Sequence, residues 1–315
     1  MRIIGFTEFG GPEVLDIHDV PEPHAGPGEV RIAVKAAAVN PTDTETRQGN
    51  GAPAQLPAPH VPGMDAAGVI DEVGEPTAEL DTSPWSVGDH VMAIAIPLRG
   101  HGGAYVEYLV ADADSLARIP EGRSLEEAST LPMNGLTALQ ALEKLDLEPG
   151  QVLGVTGAAG TLGGYVVQLA KLQGLTVIAD AAPKDRERVV ALGADHVVER
   201  GDDFPDKVRE IYPDGVDGLV DAAVMNELAV PAVRSGGGFA TVRFWQGPED
   251  SDLTFHVVWV GDEYHHGDKL DALRELVESG VVTLEVADTL PAEQATEAHR
   301  RFQEGGVRGR LVLTF

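Results

Sequence analysis

The spacing of apolar and polar residues changes character along this chain. Up to about residue 120 the apolar residues fall in short β-like runs, at 30–34, 67–70, 90–95 and 105–110. Turn signals at Pro27-Gly28, Pro62-Gly63 and Val87-Gly88-Asp89 separate them. The pattern predicts a compact, mostly antiparallel β region with few helices. Residues 124–145 then repeat with a helical period, Ser124 standing where an N-cap belongs and Glu126 and Glu127 in the first turn. Beyond residue 150 the two periods alternate. Residues 152–156 read as a buried strand, 164–172 as a helix, 175–179 as a second strand, and 185–192 as a helix stopped at Gly193. Further strands are predicted at 196–198, 216–220 and 238–242. Strands alternating with helices imply an α/β fold with a doubly wound parallel sheet. After about residue 265 come a helix at 269–278 closed by Gly280, another at 292–303, and a last strand at 310–315. The parallel sheet is complete without that strand, which is expected to return to the N-terminal β region.

The first strand and helix of the α/β region are joined by Gly157-Ala158-Ala159-Gly160-Thr161-Leu162-Gly163. The spacing G-x-x-G-x-x-G is a variant of G-x-G-x-x-G. Glycines let the backbone turn tightly and approach a pyrophosphate, while the helix behind them offers free N–H groups and its positive dipole end. The strand at 175–179 is followed by Asp180, about 20 residues on, as a dinucleotide fingerprint expects. A strand-to-helix turn of this kind also occurs in other α/β domains; the βαβ context and Asp180 together favour a nucleotide site.

Composition narrows the classes. The 315 residues fit two domains, and 43% hydrophobic content supports substantial cores. No apolar run is long enough for a membrane helix, and the first residues read as a strand rather than a signal peptide, so a cytoplasmic protein is expected. With no cysteine there is no disulfide framework, thiolate zinc site or cysteine nucleophile. A net charge of −28 repels nucleic-acid phosphate and anionic lipid, leaving a small-molecule substrate as the expected partner. A serine-hydrolase G-x-S-x-G is absent.

In order along the chain stand Phe9-Gly10-Gly11-Pro12-Glu13-Val14-Leu15, Val39-Asn40-Pro41-Thr42-Asp43, Pro62-Gly63-Met64-Asp65-Ala66-Ala67-Gly68-Val69, Val87-Gly88-Asp89-His90-Val91, Gly103-Ala104-Tyr105-Val106-Glu107-Tyr108, Leu136-Thr137-Ala138, the glycine loop, Leu192-Gly193-Ala194-Asp195 and Gly309-Arg310-Leu311-Val312-Leu313. Through these segments, and over nearly its whole length, the chain resembles the medium-chain dehydrogenase/reductase superfamily. Within it the likeness is to the zinc-independent quinone oxidoreductases, the zeta-crystallin-like group. The resemblance implies a discontinuous GroES-like, mostly-β catalytic domain at 1–122 and 265–315, and a Rossmann dinucleotide-binding domain at 123–264. It also implies a cleft between them for the nicotinamide ring, and a homodimer for which the strand at 255–260 is a candidate edge.

Zinc alcohol dehydrogenases of the superfamily carry a cysteine before the first catalytic-domain helix and a Gly-His-Glu motif. Asn40 and its neighbours, and Gly63-Met64-Asp65, stand there instead, so no metal is expected. Without zinc, a hydride from the nicotinamide suits acceptors whose conjugation spreads the developing charge, namely quinones and α,β-unsaturated carbonyls. By position Asn40, Asp43 and Thr137 resemble the residues lining the nicotinamide end, with Asn40 able to donate to a carbonyl oxygen and Thr137 to contact the carboxamide. Asn40-Pro41 also reads as a turn capping the next helix, and Asp43 as an early helix acid. Loops 48–59 and 96–103 are expected to carry substrate specificity.

The cofactor reads as NADP or NAD. Asp180 would accept from both ribose hydroxyls and repel a 2′-phosphate. Lys184 and Arg186 follow closely and Arg200 ends the next strand region; Arg186 and Arg200 match positions where the family places phosphate-site residues, and also read as solvated charges pairing with Asp185 and Glu187. Two alternatives stay open beside the reductase: an enoyl or alkenal reductase dedicated to one pathway, and a nucleotide-binding sensor or structural protein without turnover.

Overall fold

A computed structural model describes residues 1–50 and 57–315; residues 51–56 of loop 48–59 therefore lie outside the described residues. The chain divides into two compact units. One comprises Met1–Met133, Tyr264–Ser279 and Leu284–Phe315, the other Asn134–Glu263 and Gly280–Thr283.

The first unit opens with β1 (Arg2–Gly5) paired antiparallel to β2 (Asp16–Asp19). Next come β3 (Glu29–Ala38), α1 (Pro41–Gln48), β4 (Asp65–Val73), β5 (His90–Ile94), β6 (Tyr108–Asp112), β7 (Leu116–Arg118) and the short α2 (Leu125–Ala128). In β3, Val30, Ile32 and Val34 are buried while Arg31 faces outward to Asp71 at 2.9 Å, the two-residue alternation of a half-buried strand. The predicted run at 105–110 splits. Tyr105 lies outside β6, its N–H bonded to Pro62 O and its side chain fully buried. Residues 124–145 also split. Ser124 and Glu127 form a capping box at the start of α2, and Pro132, which cannot donate a backbone hydrogen bond, opens a second helix, α3 (Pro132–Leu145).

In the second unit follow β8 (Val152–Thr156), α4 (Thr161–Leu172), β9 (Thr176–Ala181), α5 (Arg186–Ala191), β10 (His196–Glu199), α6 (Phe204–Ile211), β11 (Val216–Asp221), β12 (Val233–Thr241) and β13 (Thr254–Val257). They form a six-stranded, wholly parallel sheet in the order β10-β9-β8-β11-β12-β13. The order reverses between β8 and β11, and open α/β sheets bind ligands at the carboxyl ends of the strands beside such a reversal. The apolar runs of β8 and β11 are buried nearly throughout, as strands covered on both faces require. Helix α6 was not foreseen in the sequence; Pro205 sits in its first turn, where no N–H is needed.

The chain returns to the first unit with α7 (Gly267–Glu278), β14 (Val286–Pro291), α8 (Ala295–Glu304) and β15 (Arg310–Thr314). β15 lies antiparallel to β3 and parallel to β14, extending the sheet β14-β15-β3-β4-β5-β7, with β6 also on β3. The last strand thus joins the N-terminal sheet, whose core packs Phe6, Ile32, Ile70, Tyr105, Leu109 and Leu313.

Candidate functional site

In the second unit, register aligns Thr156, Asp221, Thr241 and Val257 in one row across the ends of β8, β11, β12 and β13. The glycine loop leaves this row at Gly157, whose φ of +70° is ready for glycine and strained for other residues. Thr156 Oγ1 donates to Asp221 Oδ1 at 2.6 Å, and Asp221 also accepts the N–H groups of Met225 and Asn226. These bonds hold the segment after β11 against the loop. A Cβ on Gly163 would sit 2.4 Å from Gly157 O, so α4 can start this close only with glycine there.

Gly160 caps α4, whose first residues, Thr161, Leu162 and Gly163, turn N–H groups out of the helix end. Among the described residues, Thr161 Oγ1 is buried there with no hydrogen-bond partner. An orphaned hydroxyl, free amides and the positive end of a 12-residue helix are the donors a diphosphate takes. The loop therefore fits a dinucleotide, with Gly157, Ala158, Ala159 and Gly160 supplying the close backbone approach.

Asp180 lies inside β9 rather than after it, and is fully buried. Its Oδ1 accepts the Gly157 N–H at 2.6 Å and lies 3.4 Å from the Ala158 N–H, while Oδ2 meets Arg200 Nε at 2.8 Å. Arg200, directly after β10, is half exposed on its other side. Arg186 Nη1 donates to Val197 O at 2.6 Å, tying α5 to β10. Lys184 is exposed in the turn 183–185 that joins β9 to α5. The structure therefore brings Asp180 and Arg200 together with the glycine loop. Thr137, on α3, is nearly buried in this same unit.

In the first unit Asn40 and Asp43 form the capping box of α1, the Asn40 N–H donating to Asp43 Oδ2 at 2.8 Å. Both are fully buried in a polar network. Asp43 Oδ1 accepts the Gly63 N–H at 2.9 Å, and Tyr105 Oη donates to Oδ2 at 3.1 Å. Asn40 Nδ2 donates to Asp65 Oδ2 at 2.6 Å, and Asp65 Oδ1 accepts the Met133 N–H at the same distance. Burial raises Asp43 to about 6 and Asp65 to about 7, against the hydrogen bonds and the Arg310 charge that lower them.

Tyr105 Oη also lies 3.2 Å from His299 Nε2, and Arg47 Nε donates to His299 Nδ1 at 3.4 Å. Burial, then the Arg47 charge, lowers His299 to about 3, so the ring is neutral. Nδ1 then accepts from Arg47, and the Nε2 proton points to Tyr105. Arg47 Nη1 donates to the Gly10 carbonyl. Sequence reasoning missed Tyr105, His299 and Arg310 as members of this network. Tyr105 stood in the Gly-Ala-Tyr segment, and His299 in the predicted helix at 292–303, with no local signal for their contact.

A dinucleotide-fitted parallel sheet and a separate antiparallel β unit in one chain define the class of two-unit nicotinamide-dependent oxidoreductases. Comparison with known proteins makes this specific. Residues 26–121 match the alcohol dehydrogenase GroES-like domain, and residues 192–313 match the zinc-binding dehydrogenase family. The chain is 32% identical to a solved NAD-dependent alcohol dehydrogenase, all of both chains aligning with a TM-score of 0.85. It is 29% identical to the chloroplastic NADPH-dependent alkenal/one oxidoreductase of Arabidopsis thaliana over 99% of this chain and 79% of that one. It is 28% identical to the quinone oxidoreductase of Mus musculus over 99% and 97%. The chain belongs to the medium-chain dehydrogenase/reductase superfamily.

Some superfamily members hold a catalytic zinc. Here the corresponding positions carry Asn40, whose amide is committed to Asp65, and Met64, a buried thioether. Neither is a thiolate or imidazole, so this donor set does not fit a catalytic zinc. Among the described residues no helix is long and apolar enough to cross a membrane.

Proposed function

We propose that this chain is a zinc-independent reductase of quinones or α,β-unsaturated carbonyls that uses NADPH. When bound, the reduced cofactor supplies a hydride, and solvent supplies the proton. The orphaned Thr161 hydroxyl behind the glycine loop carries the reading. Thr161 and the amides of Leu162 and Gly163 grip the diphosphate, and Asp180 fixes the loop by holding Gly157 N–H.

The same geometry favours a 2′-phosphate. The Asp180 charge is buried and already met by the Gly157 amide and Arg200, so it does not face the ribose as a free repelling anion. Lys184, exposed nearby in sequence, and the open side of Arg200 supply positive charge. Arg186 contributes less, since one of its donors is spent on Val197 O.

Asn40 and Asp43 serve as positioning residues. Asp43 joins the start of α1 to Gly63, and Asp65 fixes the Asn40 amide. Thr137 is proposed to contact the carboxamide. The protein is proposed to work as a cytoplasmic homodimer with a small-molecule substrate. A panel of quinones, enals and enoyl thioesters, each with NADPH and NADH, tests the reading. Turnover of quinones or enals with NADPH supports it. Turnover confined to enoyl thioesters assigns the pathway-specific alternative. Cofactor binding without turnover of any acceptor overturns the enzyme and leaves a sensor.

A further inference from the structure

In the first unit, Glu29 begins β3 and Asp112 ends β6, and the antiparallel register places them directly opposite one another. Like charges so placed repel. Among the described residues, neither carboxylate is paired with a lysine or arginine. Their one basic neighbour is His101, whose Nε2 lies 3.1 Å from Glu29 Oε1. His101 comes from loop 96–103, closed at its base by the Ile96–Gly102 bridge. One ligand atom each of Glu29, His101 and Asp112 lies within 4.8 Å of the others, the one such cluster of three among the described residues.

One ligand is itself oriented: Glu29 Oε2 accepts the Gly26 N–H at 2.8 Å. Such outer contacts fix ligand direction in metal centres. Cross-strand opposition places the two acids by backbone register rather than by surface accident, and a third ligand of a different chemical type completes the set.

We propose that Glu29, His101 and Asp112 form a site for a divalent transition metal, filled by Zn²⁺, which fastens loop 96–103 to β3 and β6. Zn²⁺ takes imidazole and carboxylate at about 2.0–2.2 Å, with water as a fourth ligand. Side-chain rotation closes the remaining distance. The imidazole selects against Mg²⁺ and Ca²⁺, which prefer all-oxygen shells. A net charge of −28 concentrates cations around the chain. The site is separate from Asn40 and Met64 and does not depend on the reductase reading.

The full chain, stripped with chelator, is titrated with Co²⁺ by visible absorption and with Zn²⁺ by calorimetry. The expected result is one equivalent of each, Zn²⁺ displacing Co²⁺. Loss of an outer-shell partner alone weakens metal binding roughly 10–100-fold, so His101→Ala and Glu29→Gln should each weaken it by at least that much. His90→Ala, a control on the exposed start of β5, should leave binding unchanged. Zn²⁺ should also slow tryptic cleavage after Arg99 in the loop. Absence of stoichiometric uptake, or uptake undiminished in both ligand variants with wild-type circular dichroism, overturns the site. Uptake with unchanged cleavage at Arg99 overturns the fastening of the loop.

Discussion

The carboxylate of Asp180 and the amide of Gly157 meet at 2.6 Å, across the gap between two neighbouring parallel strands. The acid thereby shapes the phosphate loop from behind. Asp180→Ala removes a charged acceptor, a bond of about 1.5–3 kcal/mol, and releases Arg200. Binding of both cofactors is expected to weaken, with NADH losing more than NADPH because the freed guanidinium favours the phosphate. The ratio of kcat/KM for NADPH and NADH checks this. A shift toward NADH would contradict the role given to Arg200.

Gly163→Ala drives a methyl group against Gly157 O and the Ala158 backbone. Overpacking of this kind costs about 1–3 kcal/mol. Because the neighbours are backbone, the loop itself must move. The expected outcome is a lower Tm and loss of cofactor-dependent fluorescence enhancement. Unchanged cofactor affinity would show that close approach of α4 is unnecessary.

The Asp43–Asp65 cluster predicts a pH dependence. Their folded pKa values, about 6 and about 7, lie above the ordinary 3.8 of aspartate. A carboxyl with a raised folded pKa holds its proton more tightly when folded. Its contribution is complete below about pH 4 and is lost as pH rises through 6 and 7. Asp65→Asn is neutral at every pH and should flatten this decline. Melting curves from pH 5 to 8 should find the variant gaining on the parent by several degrees toward pH 8. Parallel curves would sink the prediction.

Tyr105→Phe removes the hydroxyl that joins Asp43 to His299. It leaves buried polar atoms short of a partner, at about 1–3 kcal/mol. Chemical denaturation should show a loss in that range with an unchanged m value. A loss below about 0.5 kcal/mol would mean that water replaces the hydroxyl.

Much of this was legible in the chain. The glycine loop and the alternating elements of the second unit follow from local spacing, and β15 could be assigned to the first sheet because the parallel sheet had no need of it. Asp180 was found by its distance from the glycines, but its direction was not, since a one-residue change in where β9 ends decides whether the carboxylate faces solvent or the loop. The Tyr105–His299 contact joins distant segments, and no local period encodes it. Asn40 and Asp43 were both foreseen, as cap and early helix acid; their burial with Asp65 depended on how α1, β4 and α3 meet.

The pairing of β15 with β3 also bears on how the molecule is made. During synthesis β3 emerges well before β15, which pairs with its residues Ala36, Ala37 and Ala38. The 36–38 end of β3 must wait unpaired on that side while the parallel-sheet unit is translated and free to fold. Until β15 arrives, the nascent chain stays exposed to chaperones and to mispairing at that end of β3.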